Sequence, residues 1–254
     1  MRNGSPTADG AFPCREGREP GTVALRLPVD GRLGGVADGR PSGIGRLAPS
    51  RTNEEDCRHL AWIIRATGIA DPSRQAEELI EEFGSLGAVL AASASRLEHS
   101  LGGAWAVASE IDRFNAAAAH VLLARVNERP ILSCSSQLLD YLRYGMSHRT
   151  HERFRMLHLD ARNRLIRDET MSDGSGIRTL VSVRSVVAHA IESGSASIIL
   201  VHNHPSGDPT PSGADIELTG RIVEACRDLE IELLDHLIVG TGTIFSFRQT
   251  GLLK

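Results

Sequence analysis

Two histidines that close an apolar run constrain this chain more than any other feature. His202-Asn203-His204-Pro205 follows Ala196-Ser197-Ile198-Ile199-Leu200-Val201 and leads into Ser206-Gly207-Asp208-Pro209-Thr210-Pro211-Ser212-Gly213-Ala214-Asp215. The apolar run predicts a short strand buried on both faces. Beyond the loop, Ile216, Ile222, Val223, Cys226 and Leu229 recur at helical spacing, which predicts a helix opened by Ser212 and Asp215. His202 and His204 share a parity, so both rings can leave the strand end in one direction. Asp215, in the first helical turn, can return to meet them. Two imidazoles, one carboxylate and one open position form the ligand set of a catalytic zinc site.

Each half of this stretch also has an ordinary explanation. Loop histidines are commonly just solvated, and Ser212-x-x-Asp215 is a helix capping box that needs no function. The joint pattern H-x-H-P-x6-S-x-x-D is far more specific, because it fixes five residue types over fourteen positions. It also falls at a strand-to-helix junction, where α/β architectures commonly bind ligands. Both explanations hold together if Ser212 caps the helix while presenting its hydroxyl to a substrate.

His202, His204, Pro205, Ser212 and Asp215 resemble the JAMM motif of MPN-domain metalloproteases. The bacterial form resembled is the RadC-like group, which is similar in having Asn203 between the histidines and Pro205-Ser206-Gly207 after them. The resemblance covers roughly the last half of the chain, through Asp235-His236-Leu237-Ile238-Val239-Gly240 and Ser246-Phe247. Eukaryotic relatives usually carry Ser or Thr at the place of Asn203. That departure leaves the metal ligands intact but does not carry over their isopeptide substrates.

Composition narrows the classes. A chain of 254 residues holds one sizeable domain or two small ones. Its net charge of −4 argues against a generally basic nucleic-acid binder. With aromatics at 4%, no stacking platform for single strands is visible. Cys14, Cys57, Cys134 and Cys226 lie far apart with no C-x-x-C, so neither a disulfide framework nor a zinc ribbon is expected. The first residues, Met1-Arg2-Asn3-Gly4-Ser5-Pro6, lack the apolar region of a signal peptide, and no apolar run reaches a membrane-spanning length. A cytoplasmic protein with no membrane partner is the expectation.

Residues 1–53 hold 10 of the 25 glycines and 6 of the 11 prolines, with little periodicity. Such a segment cannot bury enough apolar surface to offset its chain entropy, so it reads as a disordered arm. An overlong assigned start codon would give the same composition. Residues 54–130 read as a small helical domain. Asn53 or Thr52 caps a first helix with Leu60, Ile63 and Ile64, and Asp71-Pro72 opens a second with Ala76, Leu79, Ile80 and Phe83. In the RadC-like group this region resembles a helix-hairpin-helix module, whose Gly-rich turns present backbone amides to DNA phosphates. Leu101-Gly102-Gly103-Ala104 matches such a hairpin only loosely, with no Lys after it and Glu110 and Asp112 nearby. A helical packing domain explains the same residues as well as DNA binding does.

Residues 131–254 read as the α/β (α+β) domain. Leu138, Leu139, Leu142 and Met146 mark a helix, and His151 to Asp160 reads as a strand turning at Ala161-Arg162-Asn163. Ser182 caps a helix over 183–192, and Ile231 to Val239 and Ile244 to Phe247 are the last strands. The resemblance implies an MPN-type α-β-α layout related to the cytidine-deaminase-like fold. A deaminase would need a C-x-x-C for its zinc, and there is none. H-E-x-x-H is absent as well, since position 155 is Arg.

The resemblance assigns Glu152 to the upstream Glu of the JAMM pattern, as general acid and base, with Glu169 as the competing choice. It gives zinc to His202, His204 and Asp215, and a hydrogen bond from Ser212 to the developing oxyanion. Asp235 and His236 could orient a ligand imidazole, or be ordinary turn residues. Three function classes follow: a zinc metallopeptidase or isopeptidase acting on a peptide or protein, a DNA-repair accessory protein, and a metal-binding scaffold without turnover. Intact Glu152 and Ser212 speak against the scaffold. Neither the cleaved bond nor the oligomeric state is written in any motif.

Overall fold

The computed structural model describes residues 51–131, 135–174 and 181–253. The expectation of a disordered arm lies outside these residues up to position 50. The last three positions of that span, 51–53, instead open a helix, so its expected caps Thr52 and Asn53 fall inside the first turn.

Five helices come first: α1 (Arg51–Ile64), α2 (Pro72–Phe83), α3 (Leu86–Ala91), α4 (Ala94–Ser100) and α5 (Trp105–Asn127). Their boundaries follow local chemistry. The Asp71 carboxylate accepts the Arg74 N–H ahead of Pro72, and Gly84 ends α2 with a φ of 91°. Ser85 and Ser93 cap α3 and α4 in the same way. Leu60, Ile64, Leu79, Ile80, Val89 and Leu97 form one buried cluster with Val107, Ala108 and Ile111 from the start of α5. The far end of α5 belongs elsewhere, since Leu122, Leu123 and Val126 pack against the sheet. One 23-residue helix therefore spans both cores.

The remaining elements are α6 (Ser136–Met146), β1 (Arg153–Leu159), β2 (Leu165–Asp173), α7 (Val183–Glu192), β3 (Ser197–Asn203), α8 (Gly213–Arg227), β4 (Glu232–Val239) and β5 (Ile244–Ser246). The sheet order is β2-β1-β3-β4-β5, with β3 and β4 parallel and the other pairs antiparallel. β3 is central, and all seven of its residues are buried. On one face Ile198 and Leu200 pack with Phe154, Met156, Val186, Ile222 and Ile238, under α7 and α8. On the other, Ile199 and Val201 pack with Leu157, Leu237, Leu138 and Leu142, under α5 and α6. The result is a mixed α+β fold of three layers, as an apolar central strand requires. β2 is longer than the sequence suggests, because its polar, half-exposed edge residues carry no clean alternation.

A buried ion pair ties α6 to the sheet. Arg155 is only 8% exposed. Its Nε donates to Asp168 Oδ1 at 3.0 Å, and its Nη2 reaches both Asp168 and the Tyr141 hydroxyl. The Tyr141 hydroxyl in turn donates to Asp168 at 2.7 Å. Asp168→Ala removes the counter-charge of a desolvated guanidinium, so urea denaturation should show a loss of about 3–5 kcal/mol. A loss under about 1 kcal/mol would mean that water reaches Arg155 and the pair is not structural.

Candidate metal centre

β3 delivers the site. His202 is its penultimate residue, 1% exposed, and His204 follows one residue past its end. The Ser212 cap then aims α8 back towards them: its Oγ accepts the Asp215 N–H, while Asp215 Oδ2 accepts both the Ser212 N–H at 2.7 Å and the Ser212 hydroxyl at 2.6 Å. The intervening loop rests on the β4–β5 turn, where Thr241 N–H donates to the Gly207 carbonyl. A side chain at Gly207 would stand 2.7 Å from Thr241 Oγ1, and its φ of 83° is one that other residues seldom adopt.

These elements bring three donors together. His202 Nε2 and His204 Nε2 are 3.1 Å apart, and Asp215 stands 3.6 Å from the first and 3.7 Å from the second. Donors sharing a tetrahedral zinc at about 2.0–2.2 Å would be separated by about 3.3–3.6 Å. Glu152 Oε1 lies further out, 4.0 Å from His202 Nε2. Even so, Glu152, His202 and His204 form a group that could hold a metal ion, with one donor atom of each within 4.8 Å of the others.

The surrounding hydrogen bonds dictate where the imidazole protons sit. Thr219 Oγ1 has a single proton, and donates it to the Asp215 carbonyl at 2.5 Å. It can therefore only accept from His236 Nδ1, 2.7 Å away. That leaves neutral His236 with a lone pair on Nε2, facing His202 Nδ1 at 2.9 Å, so His202 must donate there. His204 Nδ1 likewise donates to the Asp208 carbonyl at 2.7 Å. Both Nε2 atoms are thus lone pairs in the neutral rings, and neither has a proton to give the other. Two lone pairs at 3.1 Å beside a carboxylate suit a cation, and this is the arrangement a metal needs in its ligands. Burial, only partly opposed by Asp215, pushes His202 down to about 4 with His204 adding to the fall, so the ring is neutral at ordinary pH. Burial drives His236 well below its usual value too, helped by His202 and His204. Phe154 stacks on His202 at 5.8 Å, and Phe247 on His236 at 4.9 Å.

His236, expected to orient a ligand imidazole, meets His202 Nδ1 through its Nε2 at 2.9 Å. Asp235, expected beside it in that role, does something different. Its carboxylate accepts the backbone N–H groups of His236 and Arg248 and the Ser246 hydroxyl, joining β4 to β5. Neighbouring residues of one strand point to opposite faces, so only one of the two could reach His202. Glu169, the competing base, is in β2 with its carboxylate held by His158, His189 and Arg167. The structure brings Glu152, not Glu169, to the histidines. Thr219 is not among the expected site residues, although its position four residues after Asp215 places both on one helix face.

An α-β-α domain with a paired-histidine and carboxylate centre at a strand end defines the class as JAB/MPN-type. The RadC-like JAB domain profile matches residues 132–252. A UPF0758 protein of Rhodobacter capsulatus is 45% identical over 191 residues, covering 75% of this chain and 89% of that protein. A UPF0758 protein of Ruegeria pomeroyi is 40% identical over 191 residues, covering 75% and 85%. The chain belongs to the RadC-like JAB-domain family. No helix among the described residues is long and apolar enough to cross a membrane.

Proposed function

We propose that the protein is a zinc-dependent metallopeptidase or isopeptidase. The observation that carries this reading is the pair of Nε2 atoms 3.1 Å apart beside Asp215, each ring's Nδ1 being engaged elsewhere, with a further carboxylate, Glu152, one step outside them. A zinc ion held by His202, His204 and Asp215 would supply a Lewis acid that brings a water's pKa towards neutrality and polarises the carbonyl under attack. Glu152, 37% exposed and 4.0 Å from His202 Nε2, would accept a proton from the attacking water and deliver it to the departing amine.

Ser212 has two donors on Asp215, its N–H and its hydroxyl. The N–H alone can hold the carboxylate while the hydroxyl turns to the developing oxyanion. Ser212→Ala should therefore keep zinc but lose on the order of 10²–10³ in turnover. It should also lose about 1 kcal/mol of stability, as for a deleted cap. A turnover within twofold of the parent would reduce Ser212 to a cap.

The experiment for the whole reading is mass spectrometry of a diverse pool of peptides and isopeptide-linked conjugates, incubated with the zinc-loaded and the chelated chain. Cleavages confined to the zinc form are expected. Cleavage that persists at the same rate after chelation would overturn the reading.

A further inference from the structure

We propose that Asn203 is the positioning residue for Glu152, acting as a side-chain clamp on the backbone either side of it. In the β1–β3 ladder Phe154 pairs with His202, antiparallel. One step further the register sets Arg153 opposite Asn203 and Glu152 opposite His204. Continued parity then gives Glu152 the face that Phe154 shares with His202 and His204.

The ladder itself, however, ends at Phe154 and His202, just short of the residue whose position matters. The carboxamide of Asn203 takes over at that point. Its Oδ1 accepts the Arg153 N–H at 2.8 Å, and its Nδ2 donates to the His151 carbonyl at 3.1 Å. The two bonds bracket Glu152 by one residue on each side. From the other flank, Gly174 N–H donates to the Glu152 carbonyl at 3.1 Å. Asn203 is 1% exposed, so its two bonds meet no competition from water.

The residue type follows from the task. Bracketing one residue requires an acceptor for an N–H and a donor for a C=O two positions earlier, both on one rigid planar group, which a primary amide supplies. Asp keeps the acceptor but turns a second oxygen against the His151 carbonyl. Ser and Ala cannot reach both. Asn203 also lies between the two metal-site histidines in sequence while its side chain leaves β3 on the opposite face. One tripeptide therefore sets the ligands with its outer residues and the base with its central one.

The catalytic consequence rests on the hydrolase reading, but the clamp itself does not, and the test separates them. The zinc-loaded full chain would be compared with Asn203→Ala and Asn203→Asp. Amide exchange by NMR should show Arg153 N–H exchanging at least about tenfold faster in Asn203→Ala, with the β1 amides from Phe154 onward unchanged. In Asn203→Asp, which keeps the acceptor, Arg153 should stay protected. Unchanged exchange at Arg153 in Asn203→Ala overturns the clamp whatever the activity.

With a substrate from the peptide pool, Asn203→Ala should lower kcat by about 10²-fold, the scale of a misplacement near 1 Å, and leave KM within about twofold. In a Glu152→Gln background the same substitution should have no further effect on kcat, because its role runs through Glu152. A fall by the same factor in both backgrounds would make Asn203 merely structural and overturn the proposal. If even the parent cuts nothing, the hydrolase reading fails while the exchange result still decides the clamp.

Discussion

Glu152→Gln should leave zinc bound while peptide-bond hydrolysis falls by a factor on the order of 10²–10⁴, the usual loss when general acid–base assistance is removed. Gln keeps the length and shape of Glu but cannot accept a proton. The expectation that metal survives comes from distance. Glu152 Oε1 lies 4.0 Å from His202 Nε2, whereas Asp215 lies within 3.7 Å of both ligand rings. Glu152 is also the more exposed of the two carboxylates, 37% against 18%. Zinc content by atomic absorption and rates on one pool substrate check both halves. Loss of zinc in Glu152→Gln would make Glu152 a ligand, an outcome compatible with its grouping with His202 and His204. A rate equal to the parent's would remove it from the chemistry altogether.

The other large effect concerns the metal. His202→Ala should take zinc from about one per chain to near zero, since it removes one of three donors of a single site. It also leaves the His236–Thr219 relay ending on nothing, because His236 Nε2 loses the proton that His202 Nδ1 donates. Asp215→Ala should lose zinc as well, and with it the acceptor for the Ser212 N–H and hydroxyl. A further stability loss of about 1 kcal/mol is expected from the broken cap. Circular dichroism should stay helical and sheet-like in both, because the two hydrophobic clusters flanking β3 do not depend on the ligands. Full zinc in His202→Ala/His204→Ala would place the metal elsewhere and end the argument from this centre.

Much of the fold around this centre is legible in short stretches of the chain. The run Ser197–Val201 announces a central strand through sheer apolarity, and Ser212 announces the start of α8 through its capping chemistry. Asp71-Pro72 and Gly84 bound α2 for equally local reasons. Ser182 caps α7 in the same manner. The proposed metal donors are legible because His202, His204 and Asp215 lie within fourteen consecutive positions. Strand parity and one helical turn are enough to bring such neighbours together.

Glu152 is of another kind. It lies fifty residues from His202, and in the sequence only resemblance favours it over Glu169. The sheet register decides the geometry: pairing Phe154 with His202 carries Glu152 to the histidines, while Glu169 pairs with Met156 and turns to His158 and His189. A slip of one residue would send every side chain of β1 to the other face, so no local pattern could settle the choice. Asp235 and His236 make the same point, since adjacent residues of β4 serve opposite faces.

Short-range chemistry fixes β3, the loop after it, the capped start of α8 and the nearness of His202, His204 and Asp215. Which carboxylate stands beside these residues, which histidine faces His202, and the reach of Asn203 from β3 to β1 are set by contacts distant in sequence. Those depend on strand pairing across long loops, where the free energy lies in contacts between residues that the chain order keeps far apart.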